Sequence, residues 1–262
     1  MIANIPVPDI AEYHRQRYAS GNIVVAAAGN VDHDAIVALA EKLKPATAGK
    51  VPGITAQTPS ATGSCEFAVK DTEQYHVCFG GPGINRADER RFSMAVLDSI
   101  FGGSSSSRLF REVRENRGLA YSVGSYSEQF TDTGVSAIYV GTREDNIEEA
   151  CAIIGTELER IRTEPVSEDE LSRAKEHVKG RLVLSGESSA ARMSRIARSA
   201  LHDLPLLTLD EMLARVDEVT VDDLSSLSSE IYAREGLSTA CVGRDEDRFK
   251  AAVAPVSEAL TA

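Results

Sequence analysis

Long apolar runs are missing from this 262-residue chain: no stretch approaches the roughly 18 uninterrupted apolar residues of a membrane-spanning helix. The opening MIANIPVPDIAEYH lacks a basic n-region and an apolar h-region, so no secretory signal is expected there. Cationic charge is scarce, with 28 Lys and Arg against 40 Asp and Glu and a net charge of −12. Nucleic acid and anionic bilayers are both polyanions, so this balance argues against either as a partner. Cys65, Cys78, Cys151 and Cys241 are scattered without a CxxC pair, which reads as reduced core thiols in a cytoplasmic protein and not as a disulfide frame. Hydrophobic residues make up 42% and charged residues 26%, too apolar for a disordered chain.

Signatures of self-contained catalysis are missing as well. None of His14, His33, His76, His177 and His202 lies three or four residues from another, so no HExxH or HxxEH element exists and no metal site is expected in this chain. His177 has Glu170 and Glu176 nearby, but a lone His on a charged helix is ordinarily solvated. There is no GxSxG elbow, and the serines at 104–107 have no local base, so no catalytic residue is assigned. GGSSSS at 102–107 lacks the GK[ST] ending of a phosphate loop and reads as a loop followed by a helix cap.

What is present is a broken repeat. Residues 8–20 have a helical pattern with Pro8 in the first turn, 23–28 form a short apolar run closed by Gly29, and Asp32 caps a second helix ending before Pro45. The same helix–strand–helix order closes the chain, where Thr220 caps VDDLSSLSSEIYA, LSTACVG follows as a strand and DEDRFKAAVAP as a helix. At an offset of 214 residues the two segments superpose without a gap, with eight identities over positions 7 to 40, among them Asp9 on Asp223, Tyr18 on Tyr232 and Gly29 on Gly243. A 214-residue unit predicts about 166 residues of a first domain upstream of Met1. Residues 1–45 then read as the tail of that domain, 46–63 as a Pro/Gly/Ser/Thr-rich linker, and 64–262 as a complete second domain.

Within 64–262, strands are expected near 65–70 and 74–80. A helix over 88–101 carries Phe92, Ala95, Val96 and Ser99 on one side, and a second helix, RLFREVRENR, ends at Gly118. LAYSVGSYSEQF and TGVSAIYVGT form an antiparallel pair around TDTG, and helices follow over 145–163, 167–185 and 191–201. Strands grouped apart from helices indicate an α+β fold, a mostly antiparallel sheet with helices packed on one face.

The segment FGGSSSSRLFREVRENRGLAYSVGSY (101–126) carries Arg108, Arg111, Arg114 and Arg117 at three-residue steps, interleaved with Glu112 and Glu115. Its plain reading is an exposed helix face with intrahelical ion pairs worth about a few tenths of a kcal/mol each. Its sharper reading is that a helix ending in Gly and turning into a strand brings Arg114 and Tyr121 to one cleft. Guanidinium and phenol are both donors, suited to a carbonyl oxygen gaining negative charge. Spacing alone does not choose between the two.

GGSSSSRLFREVRENRGLAYSV resembles the second-domain signature of insulinase/pitrilysin-type zinc peptidases, the family of mitochondrial processing peptidase. YHRQRYASGNIVVAAAGNVDHDAIVALAEK is similar to the end of their first domain, and RMSRIARSAL to the helix downstream of the signature. The resemblance implies a repeated-domain half of a clamshell whose zinc, held by an HxxEH helix and a distal Glu, belongs to first-domain elements that this chain lacks. It carries the family's substrate-contacting Arg/Tyr pair, seven residues apart, onto Arg114 and Tyr121. The chain alone is therefore expected to be inactive. It would act as the substrate-cradling half of a zinc endopeptidase on peptide substrates, as a dimer with a zinc-bearing partner or a missing N-terminal segment. The alternative is a non-catalytic scaffold or partner subunit of the same fold. The Gly-Gly-Ser loop is short beside that of the non-catalytic processing-peptidase subunit.

Overall fold

A computed structural model describes residues 4–45, 47–51, 53, 63–233 and 236–256. The chain divides into two compact units, residues 1–57 with 183–207, and residues 58–182 with 208–262. The elements in chain order are α1 (Val7–Arg17), α2 (His33–Ala40), β1 (Cys65–Val69), β2 (Gln74–Gly83), α3 (Arg91–Phe101), a π-helix (Phe110–Glu115), β3 (Ala120–Gln129) and β4 (Gly134–Arg143). They continue through α4 (Ile147–Thr163), α5 (Glu168–Gly186), α6 (Ser189–Leu201), α7 (Leu209–Asp217), α8 (Val221–Ile231), β5 (Ser238–Gly243) and α9 (Glu246–Val253).

The second unit is the expected α+β layer. Its sheet runs β1-β5-β2-β4-β3, with β1 and β5 parallel and every other pair antiparallel. Alternation along β2 decides which face is covered: Tyr75, Val77 and Phe79 are buried, His76 is exposed, and Cys78 and Gly80 are half-buried. Val77 lies opposite Val140 and Phe79 opposite Ile138, so the covered face is continuous across β4. Over it α4 lays a stripe of Ile147, Ala150, Cys151, Ile154, Leu158 and Ile161, the three-and-four spacing of one helix face.

Two local readings change. In α3 the expected Val96 and Ser99 are buried, together with Ser93, Met94, Leu97, Ile100 and Phe101, while Ala95 is exposed and Phe92 only half-buried beneath the Arg91 guanidinium. The larger side chains of the other stripe win the core. The helix α7 was not expected, although TLDE at 208–211 spells a capping box. Thr208 Oγ1 accepts from Glu211 N, and Glu211 Oε2 from Thr208 N at 2.6 Å. The expected cap of α8 is present, with Asp223 N donating to Thr220 Oγ1 and Thr220 N to Asp223 Oδ2.

Between α3 and the π-helix the backbone passes close to β3. A Cβ on Gly102 would stand 2.2 Å from Ser125 N and 2.8 Å from the Gly124 carbonyl carbon, both backbone atoms of a paired strand. Gly102→Ala is expected to cost about 2 kcal/mol or more in urea unfolding. Gly180→Ala, in α5 with open space around it, serves as the neutral-to-stabilising control.

The first unit has helices but little interior. Asp32 caps α2 as expected, accepting from Ala35 N at 2.8 Å. Among described residues 4–45, Ala19 alone is fully buried. Residues 23–28, expected as a buried strand, carry no ladder among the described residues, because the chain presents no strand there to pair with. The helices α1 and α8 each span 11 residues and begin 214 positions apart. The gap-free superposition nevertheless slips by one at the second helix, since two residues separate Gly29 from Asp32 and one separates Gly243 from Asp245. The linker expected at 46–63 lies largely outside the described residues.

Candidate functional site

Arg114 and Tyr121 meet. The Arg114 guanidinium carbon lies 4.3 Å from the Tyr121 ring centroid and 4.7 Å from that of Phe110, so the cation stacks on two aromatic rings. Three local features produce this. The expected α-helix is a π-helix over Phe110–Glu115, with Asn116 N bonding Arg111 O five residues back. Gly118 then takes φ 64°, the left-handed conformation in which glycine carries no Cβ penalty, and Leu119 N bonds back to Val113 O at 2.9 Å. The Leu119 carbonyl is fixed in turn by Thr142 Oγ1 at 2.7 Å and Asn146 Nδ2 at 3.1 Å.

The last feature is a β-bulge. Ala120 pairs with Thr142 and Ser122 with Gly141, which leaves Tyr121 as an extra residue without a cross-strand partner. Its side chain is 78% exposed. Among the described residues neither the Arg114 nor the Tyr121 side chain makes a hydrogen bond or an ion pair, so the guanidinium N–H groups and the phenol O–H are free to donate.

Two other arginines of the segment, Arg108 and Arg117, have structural partners. Arg108 leaves its own helix and holds Glu170 with Nε at 2.9 Å and Nη2 at 3.1 Å. Burial works to raise the Glu170 carboxyl, but the hydrogen bonds and charge of Arg108, with those of Ser167, outweigh it and hold the group below the usual glutamate range. Arg117 pairs with Glu112 within the turn. The intrahelical reading is thus right for Arg117 and wrong for Arg108, because the wide turn rotates the three-residue series off one face. Ser107 is the cap, accepting from Phe110 N at 3.4 Å.

A second cluster went unread in the sequence. On the uncovered face of the sheet His76 Nδ1 and Tyr139 Oη are 2.7 Å apart, and Tyr126 Oη stands 4.0 Å from Cys78 Sγ. Period-two alternation in QYHVCFG was the available signal, since it places His76 and Cys78 opposite the buried Tyr75, Val77 and Phe79. All four cysteines are free, and burial pushes the Cys151 and Cys241 thiols up to about 12, which makes them poor nucleophiles. His177 is exposed. Among the described residues no three His, Cys, Asp or Glu side chains are grouped so that they could hold a metal ion. The donors among the described residues do not fit a zinc centre.

Residues 4–178 match the family described as peptidase M16 inactive domain, and the chain belongs to that family. It is 41% identical over 233 residues to an uncharacterised zinc protease of Streptomyces coelicolor, aligning 86% of this chain with 51% of that protein. It is 34% identical over 234 residues to one of Mycobacterium tuberculosis, aligning 86% with 52%. The chain therefore spans about half the length of the curated relatives it matches. Its fold is similar to that of a peptidase M16 inactive domain from Pseudomonas fluorescens, with a TM-score of 0.83 at 23% identity over 93% of this chain and 59% of that one. The resemblance to zinc peptidases is borne out, and no helix among the described residues is long and apolar enough to cross a membrane.

Proposed function

We propose that this chain is the substrate-cradling half of a zinc-dependent endopeptidase of the processing type. On this reading Arg114 and Tyr121 donate hydrogen bonds to the carbonyl oxygen of a peptide held against a zinc site in another segment or partner chain. A zinc held there would supply the Lewis acid and the activated water, and this chain would supply position and charge. The observation that carries the proposal is the contact itself: a guanidinium stacked on a phenol ring, with the N–H groups and the O–H of both side chains unspent. A positive charge held by stacking, and not by a carboxylate, keeps its field available for an oxygen that becomes negative. The working assembly on this reading is a cytoplasmic dimer.

Tyr121→Phe tests it, because the variant keeps the ring under Arg114 and removes only the hydroxyl. In an assembly with a zinc-bearing partner, kcat/KM for a peptide is expected to fall about tenfold, the worth of one hydrogen bond. Unchanged cleavage would favour the scaffold reading.

A further inference from the structure

Inside the second unit a carboxylate and four hydroxyls converge from α3, β3, β4 and the end of α8. Ser125, Ser127 and Ser136 share the covered face of the sheet, with Ser127 directly opposite Ser136 across the β3–β4 pair. Asp98 of α3 faces them: Ser127 Oγ donates to its Oδ2 at 2.6 Å and Ser125 Oγ to its Oδ1 at 3.4 Å. Tyr232, the residue that ends α8, stacks its ring against Phe101 with centroids 4.8 Å apart, close enough to Asp98 for that charge to act on its phenol. Tyr232 is 2% exposed and Ser136 3%, yet among the described residues neither Tyr232 Oη nor Ser136 Oγ has a hydrogen-bond partner. Enclosed hydroxyls left in that state are costly, and so is a carboxylate without a counter-charge; Asp98 has no ion pair among the described residues.

The donor set selects the ligand. Every group offers oxygen, which suits a hard cation and not a thiophilic or imidazole-seeking metal. Only one of them is a carboxylate, whereas a divalent ion such as Ca2+ gathers several, so the charge to be matched is a single one. Na+ has nearly the radius of Ca2+, whose oxygen ligands stand at about 2.4 Å, and two such ligands at a right angle lie about 3.4 Å apart. Ser125 Oγ and Asp98 Oδ1 have that separation. A serine hydroxyl can donate its proton to Asp98 and still present a lone pair to an ion. We infer that Asp98, Ser125, Ser136 and Tyr232 form a Na+ site, with Ser127 fixing the second carboxylate oxygen. Asp98 is half-buried, which gives the ion a way in from solvent. Once bound, the ion ties α3 and the end of α8 to β3 and β4, the last two strands of the sheet. The inference stands apart from the Arg114–Tyr121 reading and survives its failure.

The test is thermal unfolding of the full chain at about pH 8, with NaCl, KCl and choline chloride exchanged for one another at a constant total of about 0.2 M. Relative to choline, Na+ is expected to raise Tm by about 3 °C or more and to saturate, and K+ to give less than about half of that rise. The sodium NMR line should broaden in the presence of the chain. Asp98→Asn and Tyr232→Phe should each remove at least about half of the Na+ increment and of the broadening. The phenylalanine keeps the ring against Phe101, and comparing Na+ with choline inside one variant separates a lost ligand from lost packing. Equal Tm in all three salts, the result for a cluster that holds water only, overturns the proposal. So does a KCl effect as large as that of NaCl, or a Na+ increment that survives intact in either variant that folds.

Discussion

Arg114→Ala is expected to lower kcat/KM for peptide cleavage by about 10²–10³-fold in an assembly with a zinc-bearing partner, with most of the loss in kcat. The size follows from the absence of competitors. Arg108 and Arg117 neutralise Glu170 and Glu112, while Arg114 faces only π-clouds. Removing it takes away a full charge and its donors from between the two rings. Arg114→Lys should recover part of the loss, because the charge remains but the planar fork and its stacking between Phe110 and Tyr121 do not. Folding should hardly register either change, since the side chain is only half-buried and makes no salt bridge. A loss of activity that tracks a loss of thermal stability would point to packing and against a role in substrate contact.

The second large effect lies beneath the sheet. Asp98, near the end of α3, is half-buried and accepts hydrogen bonds from Ser127 Oγ at 2.6 Å and Ser125 Oγ at 3.4 Å. Burial dominates those two bonds and pushes its carboxyl up to about 6 from an ordinary 3.8. The Tyr232 phenol, fully enclosed nearby, is raised by its own burial and by the Asp98 charge. Since the folded group binds its proton more tightly than the unfolded one, the folded chain holds more protons between about pH 4 and 6. Stability is then fullest below about pH 4 for this group and is lost as pH rises through about 6, by about 3 kcal/mol in all. Asp98→Asn removes the charge and keeps one acceptor oxygen for Ser127, while its amide NH2 can donate to the Ser125 hydroxyl. It should flatten that slope and raise stability at pH 7 by about 2 kcal/mol in urea titrations. An unaltered pH profile in the variant would rule out Asp98 as its source.

How far the sequence could be read depended on how local the physics was. Caps and glycine stops were legible: Thr220, Asp32 and Gly118 do in the structure what their residue types dictate. The antiparallel pairing of β3 with β4 followed from alternation around a short turn. The π-helix was not legible, because FREVRE has the composition of an ordinary α-helix and its widening serves a tertiary end. Arg108 was misassigned for a related reason, since its partner Glu170 is 62 residues away. At the candidate site, spacing suggested that Arg114 and Tyr121 could meet. The intervening bulge, and Phe110 as the second ring under the guanidinium, needed coordinates. The strand expected at 23–28 failed differently: its apolar run is real, but a strand is a property of a pair.

The bulge at Tyr121 has a bearing on solubility. The strand β3 is the last of its sheet, and a regular outer strand offers a template along which another chain can zip. One surplus residue near its start throws the spacing of outward amides and carbonyls out of step with any flat newcomer. The irregularity that turns a phenol towards Arg114 thus also works as a guard against fibrous growth along this margin.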